Sequence, residues 1–360
     1  MSSRVAELDS PALCLNAAVW QQRISAVAEQ VRQAGKIWRP RADWHLIPQL
    51  SRWQISAGAS GIALDSVAQV ESFLQQGLTA IHLSRPPAAV QPLRQLFSWS
   101  NVNLSVSCDH YAQAEQISGI ACTLDRCLPV LIELNVGLNW SGVRPGLDGR
   151  DLARGISRLR GVEIRGLDIN LGTITGTPAE ERRISSAMEL LAELQHHFQR
   201  DGIACETVSV ALEGDIDSVL AAEIVTECRT GNFFNSVTSS GERTMNSTPP
   251  TALSVLASVF SRPKLERGVV DVGHSRIGHQ SAETLSVQRT ATSRPLPDVM
   301  IDHLGWDSIT LNLGPGSRDL IIGDQIFVEL FDGALALRLF PELHVIQEGI
   351  VRDIWPTVAG

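Results

Sequence analysis

Short apolar runs alternate with longer amphipathic stretches through about residue 235 of the chain. The first amphipathic stretch, Asn16 to Ala34, repeats apolar residues every three to five positions and is followed by Gly35. Helices have this period, and glycine commonly follows their last turn. The same reasoning predicts helices at Ser66–Gln76 and Ala179–Arg200. The amphipathic stretches are therefore predicted to be the helices of an α/β fold.

Eight apolar runs of four to nine residues are predicted to be strands. They are Lys36–Arg39, Gly61–Leu64, Ala80–Leu83, Val102–Val106, Val130–Asn135, Val162–Asn170, Thr207–Ala211 and Ile224–Arg229. Eight strands that alternate with helices are typical of a (β/α)8 TIM-like barrel, whose active site lies at the carboxyl ends of the strands. We assign residues 1–240 to this barrel.

A second domain is predicted after the barrel. Residues 235–250 are rich in Ser, Thr, Asn and Pro, which indicates a linker or flexible loop. Six short β-rich runs follow: Gly268–Val272, Thr284–Gln288, Ser308–Leu313, Asp324–Leu330, Ala334–Leu339 and Leu343–Ile346. We therefore assign residues 241–360 to a C-terminal β-domain, to which residues 1–15 are expected to contribute.

Composition excludes several classes of protein. A chain of 360 residues with 44% hydrophobic and 19% charged residues is ordinary for a globular enzyme. The net charge of −9 argues against nucleic acid or an anionic membrane as partner. No apolar run reaches the roughly 20 residues that span a bilayer, and the first residues have no signal-peptide core. Six cysteines without CxxC spacing favour reduced thiols. We expect a cytoplasmic protein.

Several motifs together carry a family resemblance. They are Asp9-Ser10-Pro11-Ala12-Leu13, Arg39-Pro40-Arg41-Ala42-Asp43-Trp44-His45, Gly58-Ala59-Ser60-Gly61-Ile62-Ala63, Glu133-Leu134-Asn135-Val136-Gly137, Glu227-Cys228-Arg229-Thr230-Gly231-Asn232 and Leu343-His344-Val345 with Trp355-Pro356. In order and spacing the chain resembles the D-threonine aldolase/D-serine dehydratase family, the fold-type III pyridoxal-phosphate (PLP) enzymes related to alanine racemase. The resemblance implies a barrel followed by a β-domain. It also implies a homodimer in which the C-terminal domain of one subunit completes the active site of the other.

The chain departs from the family at the positions that hold the cofactor. Asp43 stands where the resemblance places the lysine that carries PLP as a Schiff base, and a carboxylate cannot form one. Trp140 replaces an arginine expected at the phenolic oxygen. The phosphate-binding turn becomes Ser209–Gly214, in which Glu213 would repel a phosphate. The Tyr-x-Gly-His stretch becomes Asp168-Ile169-Asn170-Leu171-Gly172, and the metal pair falls at Gly333-Ala334-Leu335.

Neither lysine of the chain is a plausible replacement. Lys36 opens the first predicted strand, seven residues before Asp43, and is therefore expected near the opposite end of the barrel. Lys264 is expected on the surface where the chain joins the β-domain. We therefore predict a divergent member of the family that lacks the PLP lysine and has neither PLP nor a metal as cofactor.

The altered segment offers an acid and a base as candidate catalytic residues, Asp43 and His45. Beside an arginine, Asp43 would have a low pKa and could bind a cationic substrate group. If it is desolvated beside Trp44, its pKa would rise and it could transfer a proton. Two alternatives stay open: Asp43 is only half of a buried Arg–Asp pair, and His45 is only a packed histidine.

Other polar residues are candidates for binding a substrate. Asp168 and Asn170 alternate along the sixth strand, so both can face the barrel interior. They could bind a polar ligand, or they could form a polar layer that plugs an unused pocket. The remaining candidates are Arg41, Trp44, Asn139, Trp140, Arg229, Asn232, His274 and His303. The five-residue spacing of His274 and His279 fits no strong metal signature.

Three functions are compatible with these residues. The favoured one is a cofactor-independent lyase, dehydratase or isomerase that acts on a small polar, amino-acid-like molecule with Asp43 and His45 as its acid/base pair. The second is a non-catalytic pseudoenzyme that binds a ligand or supports an active paralogue in a heterodimer. The third is residual PLP binding without a Schiff base.

Overall fold

The computed structural model describes residues 4–85, 90–99, 101–231, 251–330 and 333–358. The described residues form two compact units. One contains residues 4–24 together with those after 250, and the other contains residues 25–231. The predicted linker at residues 235–250 lies outside the described residues. In the described part of the chain, no helix has the length and apolar character needed to cross a membrane.

The chain begins with strand β1 (Ala12–Asn16) and helix α1 (Ala17–Gln33). The Asn16 side chain accepts a hydrogen bond from the backbone N–H of Val19 at 3.2 Å, which satisfies a free donor at the start of the helix. At the other end Gly35 has a φ of +68°, so it adopts the left-handed conformation that ends helices. The predicted helix Asn16–Ala34 is therefore correct to within one residue at each end.

Eight parallel strands form the barrel in the described residues of the second unit. They are β2 (Ile37–Trp38), β3 (Ile62–Leu64), β4 (Ala80–Leu83), β5 (Asn103–Cys108), β6 (Leu128–Leu134), β7 (Val162–Ile174), β8 (Thr207–Gly214) and β9 (Glu227–Arg229). Their order is β2-β9-β8-β7-β6-β5-β4-β3. The two ends of this order are β2 and β3. Backbone hydrogen bonds from Ser60 to Trp38 (2.9 Å) and from Ala63 to Pro40 (2.8 Å) join the segments that contain them. The predicted barrel is confirmed.

Helices connect the strands. They are α2 (Pro48–Ser56), α3 (Val67–Gln75), α4 (Val90–Phe97), α5 (Tyr111–Thr123), α6 (Leu147–Ile156), α7 (Pro178–Asp201) and α8 (Asp217–Ala221). The longest, α7, begins at Thr177, whose hydroxyl accepts a hydrogen bond from the backbone N–H of Glu180. It ends at Gly202, which has a φ of +68°. Cap residues in the sequence thus set both of its ends.

The barrel interior is unusually polar. TIM-type barrels normally fill this space with layers of Val, Ile and Leu. Here the buried side chains include His82 on β4, Ser107 on β5, Asp168 on β7, Ser209 on β8 and Glu227 on β9. Buried polar groups need partners, and these five are hydrogen-bonded to one another or to arginines. This polar layer lies directly below the candidate site.

The other unit is a nine-stranded sheet that includes β1. The remaining elements are β10 (Leu253–Lys264), β11 (Arg267–Val270), α9 (His274–Ile277), β12 (Leu285–Thr290), β13 (Val299–Leu304), β14 (Ile309–Leu313), β15 (Gln325–Leu330), β16 (Glu342–Gln347) and β17 (Ile350–Pro356). Strand β1 pairs antiparallel with β10 and parallel with β16. The N-terminal residues therefore share a sheet with the C-terminal ones.

One predicted strand is wrong, and four strands were not predicted. The segment Ala334–Leu339 contains a 3-10 helix at Ala336–Arg338 instead of a strand. Its alternating Ala and Leu residues fit either structure, and burial of Ala336 and Leu337 on consecutive positions favours the helical turn. The strands without a prediction are β1, β10, β13 and β17.

Candidate active site

A cavity of about 400 Å³ opens at the carboxyl ends of the barrel strands. Six of the residues that line it are candidates from the sequence: Arg41, Trp44, Trp140, Asp168, Asn170 and Arg229. Its other polar or charged lining residues are Asp65, Ser84, Arg85, Glu133, Ser141, Thr173 and Glu213. An active site at this face is what the fold predicts, because loops and strand ends converge there.

Asp43 does not line this cavity, but it is paired with Arg41, which does. It lies in a 3-10 turn, Ala42–Trp44, directly after Arg41. Its carboxylate accepts two hydrogen bonds from Arg41, at 2.7 Å from Nη2 and 3.2 Å from Nε. Burial raises the pKa of Asp43, and the adjacent Arg41 charge opposes that rise. The geometry is that of a buried Arg–Asp pair.

Arg41 also contacts Glu213 at the end of β8. The two charged groups are 3.4 Å apart, between Nη1 and Oε1. Glu213 accepts a further hydrogen bond from the backbone N–H of Gly231 at 3.3 Å. A Cβ atom at Gly231 would lie 2.5 Å from the carbonyl oxygen of Arg41, so only glycine permits this approach. The Glu-x-Arg-x-Gly motif thus brings Arg41 and Glu213 together.

His45 lies away from the cavity. Its ring is fully buried, and Nδ1 accepts a hydrogen bond from the backbone N–H of Ile47 at 3.0 Å. Burial lowers the pKa of His45 to about 3, against a smaller opposing effect of the Gln54 side chain. A neutral imidazole that packs beside helix α2 cannot exchange protons with a ligand in the cavity. We therefore do not assign His45, or the pair of Asp43 and His45, as the acid/base groups.

Asp168 and Arg229 form a buried ion pair at the cavity floor. Asp168 also accepts a hydrogen bond from Ser107 Oγ at 2.5 Å, and Arg229 donates one to Ser84 Oγ at 3.0 Å. Burial raises the pKa of Asp168, but Arg229 and its other partners lower it further, so the carboxyl is held ionised. Arg229 Nε is buried without a hydrogen-bond partner. Asn170, two residues along β7, lines the cavity above them.

Glu133 is the residue that sequence reasoning missed. It lies on β6 and is buried at the cavity wall, where its Oε1 accepts a hydrogen bond from Ser141 Oγ at 2.5 Å. Burial and the nearby charge of Asp168 raise the pKa of Glu133 to about 7. The available signal was its place inside the apolar run Val130–Asn135, where a lone carboxylate is unexpected.

The remaining candidates are more widely separated. Trp140 lines the cavity with 71% of its surface exposed. Asn139 is not a lining residue and accepts a hydrogen bond from Asn135 at 3.3 Å. Asn232 lies outside the described residues, and His274 and His303 belong to the C-terminal unit. Within the described ranges, no group of three His, Cys, Asp or Glu side chains could hold a metal ion.

Comparison with known proteins identifies the class of this fold and site. Residues 15–233 match the model of the alanine racemase N-terminal domain, and the chain belongs to that family. The predicted family resemblance is confirmed. In sequence it is 24% identical to the D-threonine aldolase of Arthrobacter sp., over 98% of this chain and 92% of that protein. It is 28% identical to the D-threo-3-hydroxyaspartate dehydratase of Delftia sp. strain HT23, over 76% of this chain and 73% of the relative.

Solved structures show the same fold. The D-threonine aldolase of Filomicrobium marinum superposes with a TM-score of 0.85 at 21% identity and covers 100% of this chain and 98% of its own. The dehydratase of Delftia sp. HT23 superposes with a TM-score of 0.82 at 20% identity, over 99% of this chain and all of that one. An alanine racemase of Clostridium difficile 630 has a TM-score of 0.74 at 11% identity, over 96% of this chain and 98% of that one.

The family relationship overturns one expectation. The prediction that no cofactor belongs to this chain is wrong, because its family members, including D-threonine aldolase and hydroxyaspartate dehydratase, are PLP-dependent enzymes. PLP would supply an electron sink for bonds at the amino-acid carbon. The cofactor is therefore the starting assumption for any member of this family.

The residues of the cavity do not fit a lysine-linked PLP. Neither lysine of the chain lines the cavity: Lys36 Nζ donates to the carbonyl of Ala222 at 3.0 Å, and Lys264 ends β10 in the other unit. Two buried carboxylates, Asp43 and Glu213, stand where the sequence resemblance places the lysine and the phosphate turn. Carboxylates there oppose the charge of a phosphate. We derive no reaction step through the cofactor.

Proposed function

We propose that this protein is a lyase or dehydratase that acts on a small polar, amino-acid-like molecule bound in the barrel cavity. Glu133 is the group that transfers a proton in this proposal, in place of Asp43 and His45. Its position supports the assignment, because its carboxylate lies at the cavity wall and bonds Ser141 rather than an arginine. A carboxyl with a pKa of about 7 is present in both protonation states near neutral pH. That property is what general acid/base catalysis requires.

The charges around the cavity favour a ligand with a cationic group. Among the described residues that line it or bond directly to those that do, five are carboxylates: Asp43, Asp65, Glu133, Asp168 and Glu213. Three are arginines, Arg41, Arg85 and Arg229, and each is already paired with a carboxylate. Five negative and three positive groups leave an excess of two negative charges when all are ionised. An ammonium group would be attracted by this excess, whereas a dianion would be repelled.

The relatives supply the class of substrate. Their names describe cleavage of D-threonine and dehydration of D-threo-3-hydroxyaspartate, which are both 3-hydroxy amino acids. Cleavage of such a molecule removes a proton from its 3-hydroxyl group as the C2–C3 bond breaks, and the electron pair left on C2 then takes up a proton. Dehydration removes the proton on C2 and delivers a proton to the leaving hydroxyl, which departs as water. One carboxyl group with a pKa near the working pH can serve in either reaction. The buried position of Glu133 at the cavity wall, hydrogen-bonded to Ser141, is the observation that carries the proposal.

A ligand panel tests this proposal. The four stereoisomers of threonine and of 3-hydroxyaspartate are titrated by calorimetry, next to a matched amine without a carboxylate and an acid without an amine. Release of aldehyde or of ammonia is measured with and without added PLP. We expect amine-bearing molecules to bind, and Glu133→Gln to abolish turnover while Glu223→Gln, an exposed control, keeps it. Preference for the amine-free acid would refute the proposal.

A second candidate is a binding protein without turnover. The observation that favours it is that each of the three cavity arginines is already neutralised by a carboxylate. Binding without any release of product in the same panel would support it. Two assemblies remain proposals: the homodimer implied by the family and a heterodimer with a paralogue. Light scattering of the purified protein, with and without such a paralogue, distinguishes them.

A further inference from the structure

A chain of hydrogen bonds extends below the cavity through the interior of the barrel. His82 on β4 stands between two serines of β5 that face the same side of the strand. Its Nδ1 is 2.9 Å from Ser105 Oγ, and its Nε2 is 3.0 Å from Ser107 Oγ. Ser107 Oγ in turn lies 2.5 Å from Oδ2 of Asp168. The chain thus ends at the carboxylate that pairs with Arg229.

The number of protons available on each group fixes the direction of every hydrogen bond in this series. An ionised Asp168 can only accept, so the single hydroxyl proton of Ser107 is donated to it. Ser107 has no second proton, and His82 Nε2 must therefore be the donor to Ser107 Oγ. In a neutral imidazole the other nitrogen is then bare, so Nδ1 accepts from Ser105. All three bonds point toward Asp168, and aligned bonds of this kind strengthen one another.

We infer that His82 is a positioning residue of the cavity: held as its Nε2–H tautomer between Ser105 and Ser107, it fixes Asp168 and thereby the guanidinium of Arg229 at the cavity floor. The importance of this arrangement for catalysis rests on the proposed function. The arrangement itself does not, because the bonds of His82 to Ser105 and Ser107, and of Ser107 to Asp168, are present in the protein without any ligand. Oδ2 of Asp168 is committed to Ser107, which leaves Oδ1 for Arg229.

The surroundings of His82 support a neutral ring. The imidazole is fully buried, and the charged groups that face it are Arg229, Asp168 and Glu227. Burial and the Arg229 charge lower the pKa of His82, while the two carboxylates raise it less. Asp168 is 3.8 Å from Nε2, too far for a direct hydrogen bond, so Ser107 is the link between them.

Nitrogen-15 NMR of histidine-labelled protein tests the inference without any substrate. The two ring nitrogens of His82, assigned by its replacement in His82→Gln, report directly which one carries the proton. We expect a protonated Nε2 and a bare Nδ1 at pH 7. A ring protonated at Nδ1, or at both nitrogens, would overturn the inference; the tautomer is read from the wild-type protein, and His82→Gln serves only to assign its signals.

Exchange of the buried Arg229 Nε–H with solvent tests the positioning role. In Ser107→Ala the bond to Asp168 is lost, and we expect the His82 tautomers to mix and the Arg229 exchange to accelerate about tenfold or more. Ser107→Thr keeps the hydroxyl and should restore both readouts. Ser51→Ala is the matched control, because it removes a buried hydroxyl that does not belong to these hydrogen bonds.

The outcomes separate the two proposals. If Ser107→Ala leaves the His82 tautomer and the Arg229 exchange unchanged, the hydrogen-bond chain has no positioning role. If the chain behaves as inferred but no amine binds the cavity, the proposed function fails while this inference stands. If Ser107→Ala does not fold, Arg229 exchange in His82→Gln takes its place, and exchange there as slow as in wild type overturns the positioning role.

Discussion

Arg41 Nη2 lies 2.7 Å from Oδ2 of Asp43, which stands where the sequence resemblance places the lysine of the family. The same guanidinium reaches Glu213, 3.4 Å away at the end of β8. One arginine thus pairs with two buried carboxylates that come from opposite ends of the barrel sequence. Asp43 is therefore held within an ion-paired triad and is not an isolated buried charge.

The triad predicts a large loss of stability in Arg41→Met. Removal of the guanidinium leaves Asp43 and Glu213 buried and close together, and loss of one partner from a buried ion pair costs about 3–5 kcal/mol. Urea unfolding at pH 7 measures this loss of unfolding free energy. The loss should shrink at lower pH because protonation neutralises the two carboxylates. Arg32→Met, which breaks an exposed pair with Glu29, is the control and should leave the urea midpoint nearly unchanged.

The raised pKa of Glu133 predicts that Glu133→Gln is more stable than wild type, by an amount that depends on pH. The folded pKa of about 7 exceeds the ordinary value of 4.5, so the folded protein holds this proton more tightly between those two pH values. The contribution of Glu133 to stability therefore falls as the pH rises through that window. The variant avoids the penalty, and its advantage over wild type should grow from pH 4.5 to pH 7 by up to about 3 kcal/mol.

Unfolding free energies of both proteins across that range measure the effect. Glu223→Gln, at an exposed carboxylate, is the control for loss of a glutamate charge. A difference between Glu133→Gln and wild type that does not change with pH would show that the carboxyl of Glu133 titrates normally.

Much of the fold is predictable because it is encoded locally. The barrel strands are buried on both faces, so they appear in the sequence as apolar runs between amphipathic helices. Helix α1 and its Asn16 and Gly35 ends are likewise local signals. The edge strands of the C-terminal sheet are not encoded by local signals. Strand β13, for example, alternates exposed and half-buried residues, and its pairing with β14 is a tertiary contact that no single stretch of sequence reveals.

The site was predictable in its residue types but not in its arrangement. Arg41, Asp168 and Arg229 were recognised from strand period and motif, and they line one cavity. The sequence could not show that His45 turns away from it, since a tight turn at Ala42–Trp44 decides the direction of that side chain. Nor could it show the raised pKa of Glu133, which depends on its burial and on the charge of Asp168, 35 residues away on β7.

His45 is expected to be structural. In His45→Asn a side-chain oxygen can still accept from the Ile47 amide, but the ring volume is lost from the interior, at a cost of about 1–3 kcal/mol. Ligand affinity measured by calorimetry on the folded variant should stay within about twofold of wild type, because one missing packing contact outside the cavity changes binding little. Loss of affinity or turnover with an unchanged melting temperature would return His45 to the active site.

Gly231 is predicted to be irreplaceable for a steric reason. In Gly231→Ala the new Cβ would meet the Arg41 carbonyl oxygen at 2.5 Å and the Trp44 ring at 2.7 Å, which should destabilise the protein by about 1–3 kcal/mol. Gly119→Ala is the matched control, because it lies within helix α5 with no atom within 4 Å of the new methyl group. It should stabilise the protein by about 1 kcal/mol. Thermal unfolding of both variants checks the opposite signs.

Carbon-13 NMR of protein labelled at the glutamate carboxyl carbons tests the central claim most directly. The signal that disappears in Glu133→Gln is followed as the pH is varied from 4 to 9. The account predicts a midpoint near 7, moved to lower pH when Asp168→Asn removes the neighbouring negative charge. A midpoint near 4.5 in the wild-type protein would contradict the assignment of Glu133 as the proton-transferring group of the cavity.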